Sequence, residues 1–512
     1  MKFPFFILLF SLTISLSLGQ TSLQGIDLAY GPFSAGFMYY LATDSSRTYN
    51  RIYDWNNRQI PRPIPISLWY PSSEQPDSQE AMPVSAYMEI LKEEEEWEYL
   101  PNAYILDWFY YPNTPINQQH LLERSHGYIN LKPAAGKFPV IVYAPSYQAS
   151  SIENFALCEY LASHGYIVIS SPSRGIENRL MEGGSLKDIE TQARDIEFLC
   201  REVGSMPYAD YDRMATMGFS FGGLSHVLAQ VRNKRIQAIV SLDGSIKYQY
   251  HKLKDSPFFE IEKVDVPFIH MSQKDIPEEV LLAENIDPLL NSEFEFYDSL
   301  LNSKAYQLKF HHLSHSYFST LGVLFQTRDT RQDKSDAEIE ESYKWVCMYT
   351  LNFLDAHLKA KAQAGVFLEN SPEANGIEAS LISHKSKEPQ ARTYSFQDFN
   401  EYAAQHTYQH LDSLYQVCLR DYPSLKLPEG SLNNLGLQLT FNPQSTEQGI
   451  QVLRFATRLY SQSANLFDSL AEAYFFHGNR EKAIENFEQS LALSPQNQHA
   501  INRLKQLKAK EK

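Results

Sequence analysis

Between residues 138 and 360 the apolar positions switch repeatedly between two rhythms. Phe138-Pro139-Val140-Ile141-Val142-Tyr143 is a continuous apolar run, the pattern of a parallel strand buried on both faces. Residues 152–164 carry apolar side chains at helical spacing, and Gly165 stands where a helix C′ residue would. Tyr166-Ile167-Val168-Ile169-Ser170 is the next strand. Ser185-Leu186-Lys187-Asp188 resembles a capping box, and Ile189, Ala193, Ile196, Leu199, Cys200 and Val203 continue one helix face from it. Strands follow at 213–217, 236–240, 266–270 and 306–310, and a helix over 343–358 closes the series. Strands alternating with helices predict an α/β fold: a doubly wound, mostly parallel sheet covered on both faces.

The flanks read differently. Residues 20–80 hold shorter strand patterns ending in Ile66-Ser67-Leu68-Trp69-Tyr70-Pro71, expected to add antiparallel edge strands. Residues 81–126 form an insert with an acidic run, Glu93-Glu94-Glu95-Glu96, and many aromatics, among them Trp97, Tyr99, Tyr104, Trp108, Phe109, Tyr110 and Tyr111. The run reads as a solvated helix face. The aromatics read either as a cap lining an acyl pocket or as packing of the insert onto the body. Residues 366–395 read as a linker, and 396–512 as an all-α segment. Within that segment Ala483, Phe487 and Ser490 lie 34 residues after Gly449, Leu453 and Ala456. Phe467, Leu470, Ala471, Tyr474, Gly478, Ala483, Phe487 and Pro495 fit the tetratricopeptide pattern, with a weaker copy opening at Leu435-Gly436. Two repeats are too few for a long solenoid, so the segment is expected to pack on the body or on a protein partner.

The N-terminus narrows the setting. Met1-Lys2 precedes an apolar run that ends in Ser17-Leu18-Gly19-Gln20, the layout of a secretory signal peptide cut after Gly19. Residues 20–365 would then be the catalytic body of an exported protein, periplasmic or extracellular, with no membrane span after cleavage. A formal net charge of -16 argues against nucleic acid and anionic membrane surfaces as partners. The four cysteines, Cys158, Cys200, Cys347 and Cys418, form no C-x-x-C pair; they read as buried apolar residues rather than zinc ligands. No cofactor or metal is expected.

The chemistry centres on Gly218-Phe219-Ser220-Phe221-Gly222. A G-x-S-x-G pentapeptide is common by itself. Here a short apolar strand precedes it and a helix pattern follows, which is the context of a nucleophile elbow. A serine hydroxyl needs a base to take its proton and an acid to orient that base. His315 follows the last strand and is the best base; His311 and His312 are weaker. Asp243 and Asp275 both follow strands, and either suits the acid's role; the strongly apolar strand 238–242 and Gly244 favour Asp243, while Lys274 before Asp275 and Ile276-Pro277-Glu278-Glu279 after it read as an exposed loop. The backbone N–H groups of Phe221 and of Tyr147, in the loop Ala144-Pro145-Ser146-Tyr147-Gln148, are the expected oxyanion donors.

These residues resemble a family. Leu68-Trp69-Tyr70-Pro71, the strand at 138–143, Leu161-Ala162-Ser163-His164-Gly165-Tyr166, the elbow with Gly223, Leu242-Asp243-Gly244 and the segment around His315 resemble an α/β-hydrolase of the platelet-activating-factor acetylhydrolase type, a neighbour of the dienelactone hydrolases. The resemblance covers roughly residues 28–360. It implies hydrolysis of carboxylic esters, often with short acyl chains, without metal or cofactor. It also implies an acid directly after the strand that follows the elbow helix, which favours Asp243, 23 residues beyond Ser220. Ala144-Pro145-Ser146 departs from the Ser-His-Gly usual after the first core strand. The expected function is an exported serine ester hydrolase acting on small-molecule or lipid-like esters. A serine peptidase or an acyltransferase would use the same residues. A binding or scaffold protein led by the repeats, with a vestigial hydrolase body, is the rival from a different class.

Overall fold

The computed structural model describes residues 21–56, 58–326, 332–390, 394–423 and 425–509. The signal-peptide expectation at 1–19 lies outside them. The chain divides into two units, 1–390 and 391–512.

The first unit is built on one sheet of ten strands: β1 (Ser34–Asn50), β2 (Gln59–Ser72), β3 (Gly127–Ile129), β4 (Phe138–Ala144), β5 (Ile167–Ser170), β6 (Ala209–Phe219), β7 (Ile236–Leu242), β8 (Phe268–Ser272), β9 (Ala305–Phe310) and β10 (Ile382–Lys387). Their order is β3-β1-β2-β5-β4-β6-β7-β8-β9-β10. The run from β5 through β9 is parallel, while β1 and β2 pair antiparallel and β2 joins β5 antiparallel. Successive side chains on a strand face opposite ways. Accordingly Ile141, Tyr143, Ala215, Met217, Val240 and Leu242 enter one core cluster, and Val140, Val142, Ala144, Met214, Ile236 and Ile239 enter the other. Helices Phe155–Ser163 and Asp336–Leu358 bury side chains in the first cluster; helices Leu186–Val203 and Gly222–Arg232 bury theirs in the second. Both faces being covered, the strands can be apolar throughout. Ser185 caps its helix reciprocally with Asp188, and Gly165 takes the left-handed φ of +84° that ends Phe155–Ser163.

Two expectations are corrected. Of the expected linker 366–395, residues 366–390 belong to the first unit: they include the end of helix Ala362–Glu369 and strand β10, which pairs antiparallel with β9 from Ile382↔Phe310 to Lys387↔Ala305. Only Ile382 of β10 is buried. An edge strand with one buried residue and three lysines or histidines has no alternating apolar signature to read. The acidic run is not a solvated face either. Of its four carboxylates only Glu93 is exposed. Glu94 accepts hydrogen bonds from the Ser150 and Ser151 hydroxyls and the Ser151 N–H, Glu96 accepts from Tyr49 Oη and the Ile52 N–H, and Glu95 pairs with Arg179. Burial raises the Glu94 carboxyl to about 7, against the serine hydrogen bonds that lower it.

The second unit holds seven helices among its described residues, from Phe396–Gln405 to Gln498–Ala509. The 34-residue correspondence falls on equivalent faces of Thr446–Leu459 and Arg480–Leu493, where Gly449, Leu453, Ala456, Ala483, Phe487 and Ser490 are all buried. A Cβ on Gly436 would lie 2.5 Å from Leu453 Cγ, so helix Glu429–Phe441 can approach its partner only because that position is bare.

The boundary carries a prediction. A chain ending at Gln390 retains every strand of the sheet. It is expected to stay soluble and to keep activity within about twofold of the full chain, since a unit with its own core folds alone. Sedimentation and turnover of the truncated protein check this; aggregation would mean that the helical unit completes the core.

Candidate active site

Strand β6 delivers Ser220 to the C-terminal edge of the sheet. The residue adopts φ +51°, a left-handed conformation that costs a non-glycine residue about 1–3 kcal/mol and persists only where the surroundings hold it. Those holds are visible: the Ser220 N–H donates to the Leu242 carbonyl at 3.2 Å, and the Ser220 carbonyl accepts from Gly223 N–H at 2.9 Å and Ser245 N–H at 2.7 Å. The flanking glycines are required by contact. A Cβ on Gly218 would stand 2.4 Å from the Gly222 carbonyl oxygen, and one on Gly222 would stand 2.2 Å from that of Ala144. The elbow is therefore pressed against the end of β4, where the loop with Tyr147 begins.

The register of β6 on β7, with Phe219 opposite Leu242, brings Asp243 beside the elbow. His315 lies past β9, at the start of a short helical turn, His315–Phe318. His315 Nε2 is 2.8 Å from Ser220 Oγ, and His315 Nδ1 is 2.5 Å from Asp243 Oδ2. The Asp243 side chain is fully buried. Its other oxygen, Oδ1, accepts from the Gln273 N–H at 3.0 Å, and Gln273 Oε1 in turn accepts the His315 N–H at 3.0 Å. Gln273 thus ties acid and histidine together from the end of β8. The Phe219 ring, 5.1 Å from the imidazole centroid, forms a wall for the imidazole.

The other candidates stand apart from this chain of bonds. Asp275 is 62% exposed and pairs with Lys309, so it is not the carboxylate joined to His315. His311 Nε2 bonds to Ser383 Oγ of β10 at 2.6 Å. His312 stands 4.0 Å from Glu338. The Tyr147 and Phe221 rings meet edge to face at 5.9 Å. Among the described residues neither the Tyr147 N–H nor the Phe221 N–H donates to an acceptor. The Tyr147 hydroxyl anchors the loop by donating to the Met181 carbonyl and accepting from Gly183 N–H, each at 3.1 Å.

One cavity borders the triad and a second lies against the insert. A polar hollow of about 190 Å³ is lined by Asp243, Tyr248, Gln273, Asp275, Glu284 and His315. A larger one of about 640 Å³ is lined by Tyr53, Trp97, Trp108, Tyr111, Ser150 and Glu153. Of the insert's aromatics Trp97, Trp108, Phe109, Tyr110 and Tyr111 line that cavity and Tyr99 and Tyr104 are exposed, while Tyr87 and Met88 of the same insert are packed into the core. The sequence reading missed Gln273, Glu153 and Asn154. Each acts through hydrogen bonds to groups distant in sequence, and no spacing marks such residues. Among the described residues no group of three His, Cys, Asp or Glu side chains could hold a metal ion, and no helix is long and apolar enough to cross a membrane.

Burial disfavours the imidazolium of His315, but the hydrogen bond and charge of Asp243 outweigh it, with smaller help from Glu153 and Glu284, and the pKa is raised. A base must be neutral to accept a proton. Activity is therefore expected to fall as pH drops, through a midpoint above the ordinary histidine value of about 6.5. The acid limb of kcat/KM against pH measures this, and a midpoint below that value would contradict the assignment. The same shift makes the His315–Asp243 pairing stabilising below the unfolded-state value and lost as pH rises through the folded one.

The prolyl oligopeptidase family matches residues 154–276, a span that contains Ser220 and Asp243 and stops before His315. No curated protein matches. Among solved structures a ferulic acid esterase from Streptomyces cinnamoneus is similar, with 19% identity and a TM-score of 0.48 over 70% of this chain and 98% of that one. The parallel sheet, with the serine on its elbow, is that of an α/β-hydrolase, and together with the family match it supports a serine hydrolase.

Proposed function

We propose that the protein is an exported serine hydrolase of carboxylic esters. The observation that carries the reading is the unbroken chain Ser220 Oγ, His315 Nε2, His315 Nδ1, Asp243 Oδ2. Ser220 Oγ attacks the acyl carbonyl while His315 Nε2 takes its proton. Asp243 holds the imidazole in the tautomer that can accept at Nε2 and stabilises the cation formed. The N–H groups of Tyr147 and Phe221 bind the developing oxyanion. His315 returns its proton to the departing alcohol. Water then cleaves the acyl-enzyme by the same route in reverse, and no metal or cofactor takes part.

The finer reading is a hydrolase of the platelet-activating-factor acetylhydrolase and dienelactone hydrolase type, preferring short acyl groups on small-molecule or lipid-like esters. The aromatic insert acts as a cap, and the helical unit is a pair of tetratricopeptide repeats that engages a protein partner. Trp97, Trp108 and Tyr111 of the insert line a cavity together with Gln148 of the loop that carries Tyr147, where they would limit the length of an acyl group. A panel of nitrophenyl esters of graded chain length is expected to give faster turnover below about six carbons than beyond about twelve. At about 0.8 kcal/mol per buried methylene, a cavity open to long chains would give the reverse trend, which overturns this preference.

The match to the prolyl oligopeptidase family favours a second reading, a serine peptidase on the same scaffold. A peptide anilide in the same panel separates the two: kcat/KM higher on the anilide than on the best ester favours the peptidase.

A further inference from the structure

We infer that Glu153 is a positioning residue, whose carboxylate holds the oxyanion loop in place while its neighbour Asn154 holds the turn bearing His315. The inference rests on the reading of Ser220 as nucleophile. Glu153 is 8% exposed and lies between β4 and helix Phe155–Ser163. Its Oε2 accepts the Ser146 N–H at 2.9 Å and the Tyr143 hydroxyl at 3.2 Å, and its Oε1 accepts the Ser146 hydroxyl at 2.6 Å. Three donors converge on one carboxylate, two of them from the residue just before Tyr147. Holding the Ser146 amide plane fixes where the next N–H points, and that next N–H is the proposed oxyanion donor.

Asn154 works on the opposite side. Its Nδ2 donates to the Phe318 carbonyl at 3.0 Å, and its Oδ1 accepts the Thr320 N–H at 3.0 Å and the Thr320 hydroxyl at 3.1 Å. The Glu153 carbonyl also accepts the Leu321 N–H at 3.2 Å. Two consecutive residues therefore bind the oxyanion loop and the His315 turn to one point. The separation between donor and base is set there rather than by either loop alone. A misplacement of about 1 Å in such a pair costs on the order of a hundredfold in rate.

A purely structural carboxylate would have no effect on the base. Glu153 differs because its carboxylate, whose pKa burial raises and the Ser146 and Tyr143 donors lower, favours the His315 cation when it is ionised. The charged groups that raise the His315 pKa are Asp243 past β7, Glu153 past β4 and Glu284 past helix Glu278–Ala283. Lys274 and Asp275, past β8, are paired with Asp333 and Lys309.

The test compares wild type, Glu153→Gln and Ser146→Ala in two measurements on the full chain. The first is the rate of phosphonylation of Ser220 by a fluorophosphonate, which draws on the oxyanion donors. The second is the titration of His315 by NMR with ring-labelled histidine, which needs no reaction. Glu153→Gln removes the charge and leaves an amide that cannot accept at both positions. It is expected to slow phosphonylation about tenfold to a hundredfold and to lower the His315 midpoint. Ser146→Ala removes one bond and no charge, and is expected to slow phosphonylation severalfold with the midpoint unmoved. In folded Glu153→Gln, either a labelling rate within about twofold of wild type or an unmoved midpoint overturns the inference. Should that variant not fold, an unchanged rate in Ser146→Ala overturns it. A wild-type protein that does not label at all sinks the nucleophile reading instead, and the His315 midpoint in Glu153→Gln still decides this one.

Discussion

Ser220→Ala is expected to leave a folded protein whose ester turnover is lower by on the order of 10⁴-fold or more. The alanine keeps the backbone bonds that hold the elbow, namely the N–H to Leu242 and the carbonyl to Gly223 and Ser245. It loses only the hydroxyl at 2.8 Å from His315 Nε2. Without a nucleophile the remaining groups can still polarise a carbonyl and deliver water, which is why a residual rate above water persists in triads of this kind. Circular dichroism with initial rates on a short nitrophenyl ester reads both halves of the expectation. Retention of activity within about tenfold would mean that another group carries the reaction.

The second large effect separates two aspartates that look alike in sequence. Asp243→Asn is expected to lower kcat by on the order of 10⁴-fold. An amide at 2.5 Å from His315 Nδ1 can present a donor there, which drives the imidazole into the tautomer that cannot accept from Ser220. It also removes the charge that stabilises the cation. Asp275→Asn is expected to stay within about twofold of wild type, because it breaks only an exposed pair with Lys309, and exposed pairs contribute about 0–1 kcal/mol. Turnover of the two variants under one condition checks this. The large loss falling on Asp275→Asn would reassign the acid.

The central α/β body was readable because burial on both faces leaves long apolar runs, as at β4 and β5, and because helices such as Leu186–Val203 carry capping residues at the expected place. Ser220 and His315 were readable by type and by position after a strand. Asp243 was favoured over Asp275 in the residues themselves only by the apolar strand before it and the polar loop around Asp275. The choice turns on where each loop points after its strand, and the N–H of Asp243 donating to the Met271 carbonyl at 2.6 Å turns that carboxylate inward. Strand β10 escaped notice because an edge strand with one buried residue has no periodicity. The run of four glutamates misled because charge alone does not say which side chains find donors. Glu94 and Glu96 turn inward to serine, tyrosine and backbone N–H groups that lie far away in sequence. Gln273, Glu153 and Asn154 share that difficulty, as their roles exist only once distant loops have met.

The proposed chemistry requires a reactive hydroxyl on Ser220. The most direct measurement is the intact mass and peptide map of the full chain after exposure to a fluorophosphonate, in which Ser220 Oγ would displace fluoride from phosphorus as His315 takes the proton. One adduct per chain on the peptide containing Ser220, absent in His315→Ala, is the predicted result. No adduct, or an adduct on another residue that persists in His315→Ala, would contradict it.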